Sequence, residues 1–322
     1  MSNPKSQISN MKKLIFSFVA VLMSATMWAA ETQYLPISVL AADDMETFPA
    51  GAKTMIENKL TQLLTRNGIA GMDYLGQFIL TVTTTPIDKD VIPGPPMKIS
   101  EKMEMNFYIV DAYAKTIFSS TSASVRGLGE TETRCYMNAL SNMPVNSKDL
   151  AQFVAEGKQK IIEYYDHEGE AIIKKAMFLA KQKQYEEALS VVTLIPQQSK
   201  HYDASLAAGL DIYQQYVDNQ CNINLAAARQ AWAAEQNSIG AAAAGEYLAN
   251  ILPDAGCYDE AMALYQEIKG KVLDDWKFEM KKYQDGIDLE KMRISAMRDI
   301  GVEYGKHQPN QKTTIEFVRG IL

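Results

Sequence analysis

The chain is 322 residues long, with 32 Lys and Arg against 39 Asp and Glu and a formal charge of −7. That length accommodates two domains of ordinary size. An acidic balance without a basic patch lacks the electrostatic footprint of a nucleic-acid binder, and it argues equally against attachment to an anionic lipid surface.

Residues 1–30 have the order of a secretory signal peptide. Lys12 and Lys13 precede an uncharged apolar run over 14–23, small residues follow over 24–30, and Glu31 opens a polar chain. The apolar run falls short of the ~20 residues that span a bilayer. Cleavage is expected after Ala29 or Ala30, and Met11 is an alternative start. The other reading is an uncleaved N-terminal anchor. Removal takes away Lys5, Lys12 and Lys13 and no acid, so the mature chain carries −10. No cysteine adjoins the cleavage region, so no lipid anchor is expected, and no later apolar run is long enough to cross a membrane. The expected location is periplasmic or secreted.

From residue 31 to about 165 the texture is mixed. A short strand is expected over 36–41. Phe78, Leu80 and Val82 share one face of a second strand. Met103, Met105, Phe107 and Ile109 alternate with Lys102, Glu104, Asn106 and Tyr108 in the clearest half-buried strand of the chain. A Thr- and Ser-rich strand follows over 116–125. The stretch Ile92-Pro93-Gly94-Pro95-Pro96 reads as a stiff exposed loop. Ala52, Ile56, Leu60 and Leu63 repeat at helical spacing before the Asn67-Gly68 stop. Cys135, Ala139, Leu140 and Met143 mark a second helix, and a third begins near Asp149. The expected fold is α+β: a small mixed sheet with helices on one face, and Cys135 is a buried apolar residue within it.

The strings Ile37-Ser-Val-Leu-Ala41, Phe78-Ile-Leu-Thr-Val82, Phe107-Tyr-Ile-Val-Asp111 and Ser122-Ala-Ser-Val-Arg-Gly-Leu-Gly129, with the helix from Cys135 to Leu140, carry a resemblance. This half resembles the small envelope domain of the TolB N-terminal, curli-secretion and penicillin-binding-protein-activator lipoproteins. The resemblance implies protein–protein contact in the cell envelope without catalysis. The two-part layout is similar to secreted Gram-negative proteins of unassigned role.

Residues 166–271 read as helix throughout. Tyr185-Glu-Glu-Ala-Leu189 recurs as Tyr258-Asp-Glu-Ala-Met262, with a degenerate copy, Asn224-Leu-Ala-Ala-Ala228, between them. Ala176, Leu179 and Ala180 precede the first copy and Pro196 follows it. This resembles the tetratricopeptide repeat, whose stacked helix pairs bury faces that no pair buries alone. The resemblance puts Cys221 and Cys257 ahead of the second helices of adjacent units, where equivalent positions approach, so a Cys221–Cys257 disulfide is expected in an oxidising compartment. Two separate buried thiols are the alternative.

A long C-terminal helix is expected within 272–322, over 272–304, with Met280, Tyr283, Ile287, Ile294, Met297 and Tyr304 on a seven-residue seam broken by Glu290 and Gly301. It reads as an amphipathic packing helix, with a dimerising coiled coil as the sharper alternative. The tail over 313–322 reads as a short strand or a loose end.

No catalytic or metal-binding constellation stands out. His167, His201 and His307 have no partner at metal-ligand spacing. The Gly240–Gly245 spacing imitates a phosphate loop but is followed by Glu246-Tyr247, where Lys and Ser or Thr are needed. Gly127-Leu128-Gly129 reads as a close approach of helix to sheet. No cofactor is expected. The function that fits is a non-catalytic, exported cell-envelope interaction or scaffolding module, whose partner is an envelope protein or peptide segment. Tyr185, Tyr213, Tyr216, Tyr247 and Tyr265 are its groove candidates. Two alternatives remain: a small-ligand binder or enzyme at the junction of the halves near Tyr164, Tyr165, Asp166 and His167, or a structural subunit assembling through the C-terminal helix. The oligomeric state is left open.

Overall fold

The structure is a computed structural model, and it describes residues 33–41, 49–72, 76–112, 115–273, 276–283 and 288–307. The expected signal peptide and the 313–322 tail lie outside these residues.

The N-terminal half is built on a four-stranded sheet in the order β2-β4-β5-β6: β2 is Ile37–Ala41, β4 Phe78–Ile92, β5 Lys98–Asp111 and β6 Thr116–Gly129. A minor parallel pair, β1 (Gln33–Tyr34) with β3 (Ile69–Ala70), stands beside it. β2 pairs parallel to β4, from Ile37 opposite Phe78 to Ala41 opposite Val82; the remaining pairs are antiparallel. A parallel pair needs a crossover, and α1 (Ala52–Arg66) supplies it. Asn67 closes α1 by donating Nδ2–H to the Leu63 carbonyl, and Gly68 follows with φ +71°, the left-handed conformation that ends a helix.

Period-two alternation decides which face is covered. Phe78, Leu80 and Val82 of β4 and Met103, Met105, Phe107 and Ile109 of β5 all point to one side and are buried there with Ile56, Leu60 and Leu63 of α1. Each such side chain contributes roughly 1.5–3 kcal/mol on burial. Helices α2 (Glu132–Ser141) and α3 (Lys148–Lys181) cover the rest of that face through Cys135, Ala139, Leu140, Phe153, Val154 and Ile161. Along β6, Ser120, Ser122 and Ser124 are exposed. This strand runs four residues beyond the expected 116–125, because Gly127 and Gly129 let α2 close on it. A Cβ at either glycine would come 2.1 Å from the Cys135 carbonyl oxygen or 2.4 Å from its amide nitrogen.

Helix α3 is 34 residues long, about 51 Å at 1.5 Å per residue. Its first half packs on the sheet. Its second half, through Ala176, Leu179 and Ala180, enters the helical region, and Ile173 touches both cores. The boundary between 165 and 166 falls inside this continuous helix.

The helical region continues with α4 (Tyr185–Val192), α5 (Tyr202–Ala234), α6 (Ser238–Leu248) and α7 (Tyr258–Val272). The sequence resemblance placed the start of a second helix at residues 224–228, but these lie within α5, which is unbroken for 33 residues. The reason is a continuous buried stripe of Ile212, Tyr213, Val217, Cys221, Leu225, Ala228 and Trp232, joined to an alanine-rich segment with strong helix propensity. The Gly240–Gly245 segment is part of α6, capped by Asn237, whose Oδ1 accepts the Ile239 and Gly240 amides.

The expected single helix over 272–304 is not formed. α7 ends at Val272, Leu273 adopts φ +52°, residues 276–283 are not helical, and α8 spans Leu289–Lys306. Between them Trp276 and Met280 are buried and Phe278 half-buried, while Lys277 and Glu279 are exposed. That period-two pattern suits an extended strap. Trp276 and Phe278 pack against Tyr265 with ring centroids 5.4 and 6.0 Å away. α8 then folds back on α4 and α5: Met297 reaches the backbone at Gly209, and Gly301 sits against the Leu189 backbone. Met297 and Gly301 are thus used internally. Ile287 of the expected seam lies outside the described residues.

Candidate partner groove

Helix α5 carries a second stripe beside its buried one. Tyr216, Gln220 and Asn224 stand four residues apart, one turn above another, with Asn219 alongside. Two adjoining cavities open along them. One, of about 340 Å³, is lined by Tyr216, Asn219 and Gln220 together with Lys183, Tyr185, Glu186 and Glu187 at the start of α4 and Tyr304 of α8. The other, of about 360 Å³, shares Tyr216 and Gln220 and adds Asn224, Asn250 and Leu252. Together they form a groove with tyrosines and carboxylates at one end and amides along the floor.

Local structure sets each wall. The α3–α4 turn places Lys183 at φ +62° and brings Tyr185 edge-on to Tyr216, ring centroids 6.2 Å apart at 71°. Burial raises the Tyr216 phenol above its ordinary pKa, and the nearby Glu186 carboxylate adds to this. Asn224 donates Nδ2–H to the Gln220 backbone carbonyl at 2.9 Å, which leaves its side-chain oxygen to accept.

The far wall is the loop between α6 and α7, anchored to α5 at several points. A disulfide joins Cys221 to Cys257, with Cα atoms 6.0 Å apart. Cys221 lies in the middle of α5 and Cys257 at the cap of α7, so the bridge links a helix to a loop, unlike the equivalent repeat positions inferred from sequence. Asp218 Oδ1 accepts the Gly256 amide at 2.7 Å, and Gln214 Nε2 donates to Asp218 and to the Asp254 carbonyl. Asp254 in turn accepts Arg293 on Oδ2 and the Tyr283 hydroxyl on Oδ1, which ties strap and α8 to the same loop.

Of the tyrosines named from sequence, Tyr185 and Tyr216 meet in the groove. Tyr213 and Tyr265 are buried in the helical core, 3 % and 5 % exposed, and Tyr247 is 41 % exposed on α6 but lines neither cavity. Sequence reasoning missed Tyr304, Glu186 and the amides. The spacing of Tyr216, Gln220 and Asn224 was a usable signal; nothing local announced Tyr304, which arrives because α8 folds back.

At the junction of the halves, aromatic side chains pack together. Tyr165 is buried, edge-on to Tyr164 and Phe78 at 5.2 and 5.9 Å. Asp166 accepts the Ser199 hydroxyl and the Lys200 amide, which hold its carboxyl below the usual range. His167 faces solvent beside Glu168. Cys135 is buried, and burial raises its thiol. Among the described residues no group of three or more His, Cys, Asp or Glu is arranged to hold a metal ion, and no helix is long and apolar enough to cross a membrane.

No protein-family model matches the chain, and no curated protein matches it. Two solved structures show partial likeness. A minor lipoprotein from Acinetobacter baumannii is 18% identical over 41% of this chain and 95% of its own, with a TM-score of 0.24. A lipoprotein described as putative, from Caulobacter crescentus CB15, is 12% identical over 39% of this chain and 83% of its own, with a TM-score of 0.21. Likeness at these scores transfers neither fold nor function.

Proposed function

We propose that this is an exported cell-envelope protein, not an enzyme, that acts as an interaction module and seats a segment of a partner protein in the groove along α5. The groove itself carries the reading. It is open, it follows α5 for at least the ~12 Å rise from Tyr216 to Asn224, and it sets tyrosines, a residue type enriched at interfaces, beside amides able to hydrogen-bond a peptide. Two further features support export: the leader-like order of Lys12, Lys13 and the apolar run, and the Cys221–Cys257 bridge, which suits an oxidising compartment. The burial of Tyr165 against Tyr164 and Phe78 gives less support to a small-ligand or catalytic site there. The internal use of Met297 and Gly301 gives little to assembly through α8.

The test is site-specific photo-crosslinking in the envelope of producing cells, with a photoreactive residue at position 220 or, as control, at the exposed position 247. A partner protein crosslinked from 220 and absent from 247 is the expected result. Equal capture from both positions, or retention of the chain in the cytoplasmic fraction, overturns the reading.

A further inference from the structure

We propose that the groove takes an extended peptide laid along α5, with a lysine or arginine at the end where Glu186 stands among Tyr185, Tyr216 and Tyr304. This rests on the groove being a protein-segment site and goes further in naming the conformation and the side chain recognised.

The conformation follows from spacing. Four residues of helix advance about 6.0 Å, and two residues of extended chain advance about 6.4–6.8 Å. The ladder Tyr216, Gln220, Asn224 therefore keeps step with alternate residues of an extended peptide over its short length. Each peptide unit presents one N–H and one C=O, and a primary amide answers both. The Asn224 oxygen remains available after its Nδ2–H is used within α5. A helical ligand satisfies its backbone internally and offers these amides few backbone groups to pair with.

The side chain follows from charge. The cavity at the tyrosine end is lined by Glu186 and Glu187 against Lys183 alone. Neither carboxylate makes an ion pair among the described residues. The negative field reaches the groove, since Glu186 contributes to the rise of the Tyr216 phenol. A cation placed here meets carboxylates and tyrosine rings together. Acidic residues in the first turn of α4 also suit the helix dipole; that role affects stability and is blind to the ligand's charge, so experiment separates the two.

A random heptapeptide library is displayed on phage and selected on the folded, disulfide-intact chain. The best synthetic peptides, and analogues with the cation replaced by norleucine, are titrated by fluorescence anisotropy. The proteins are wild type, Tyr216→Ala, Gln220→Ala and Glu186→Gln/Glu187→Gln. We expect a fixed Lys or Arg position in the selected set. The norleucine analogue should bind wild type about fivefold to tenfold more weakly than the parent peptide, and should bind the Gln/Gln variant within about twofold of it. Peptides that lose affinity on Tyr216→Ala or Gln220→Ala yet tolerate norleucine would overturn this inference and leave the groove reading standing. Selection of no peptide, or of peptides indifferent to both alanine variants, would overturn both.

Discussion

Arg293 places Nε and a terminal guanidinium nitrogen on the same oxygen of Asp254, at 2.9 and 2.8 Å. The other carboxylate oxygen accepts the Tyr283 hydroxyl. The Asp254 side chain is only 9 % exposed, so the contact is shielded from the solvent screening that makes most surface pairs nearly worthless. It joins three segments far apart in the chain: the α6–α7 loop, the strap and α8.

Asp254→Ala should therefore destabilise the protein by about 2–3 kcal/mol, since two donors lose a charged acceptor in a half-buried setting. The loss should be local before it is global. Limited proteolysis should cut first between the strap and α8, and urea unfolding should show a lowered midpoint. A midpoint unchanged within error would mean that the remaining contacts of α8, among them Met297, Gly301 and the Arg298–Tyr202 hydrogen bond, hold it without Asp254.

The Cys221–Cys257 bridge closes a loop of 36 residues in sequence separation. Loop-closure entropy puts its contribution at roughly 2–4 kcal/mol. Cys221→Ser/Cys257→Ser should lower stability by that amount and loosen the loop bearing Asn250 and Leu252. The α+β half should be little affected. Hydrogen exchange checks this: protection should fall in α6 and the α6–α7 loop and hold in β4 and β5. Uniform loss across both halves would show that the long α3 couples them more tightly than their separate cores imply.

Much of the α+β half was legible because period two leaves little freedom. Once Met103, Met105, Phe107 and Ile109 are assigned to one side, β4 must match and the helices must cover that side. The C-terminal region misled because two periods were counted as one. Met280 belongs to a strap of alternating residues and Met297 to a helix, and a seven-residue seam drawn through both merges them. The repeat reading failed at α5 for a related reason. Ala227 matches Ala188 and Ala261 in sequence, but nothing near it breaks the buried stripe from Ile212 to Trp232. In the groove, Tyr185 and Tyr216 were recognisable as aromatic residues on helices, but which tyrosines face out depends on how α4 and α8 seat on α5. The Asp254 contact is wholly tertiary and leaves no local trace.

Glycine substitutions separate close approach from mere permissiveness. Gly127→Ala would drive a methyl to 2.1 Å from the Cys135 carbonyl oxygen, a backbone atom that cannot step aside. It should cost about 1–3 kcal/mol through displacement of α2. Gly270 lies in α7, and a methyl group added there would meet nothing within 4 Å. Gly270→Ala should be neutral to stabilising, by up to about 1 kcal/mol, from helix propensity. Paired thermal melts decide it, and equal shifts for the two variants would refute the packing argument for β6 and α2.

Alkaline stability follows from the tyrosines. The Tyr283 phenol is held well above its ordinary value, first by burial and then by donating to Asp254; Tyr213 and Tyr216 are raised by burial as well. In each case the folded state keeps a proton that the unfolded chain releases near pH 10. Unfolding then releases protons, so the contribution of these phenols is constant below pH 10 and falls as pH rises beyond it. The Cm in urea should begin to fall above about pH 8.5, where the unfolded chain releases the Cys135 proton that the folded state keeps, and fall more steeply beyond about pH 10 as the tyrosines join. Tyr283→Phe should be less stable at pH 8, having lost a hydrogen bond to a carboxylate, and its decline above pH 10 should be shallower. Tyr213 and Tyr216 remain, so a slope should persist. A slope identical to wild type would mean that neither burial nor Asp254 holds the Tyr283 phenol above its ordinary value.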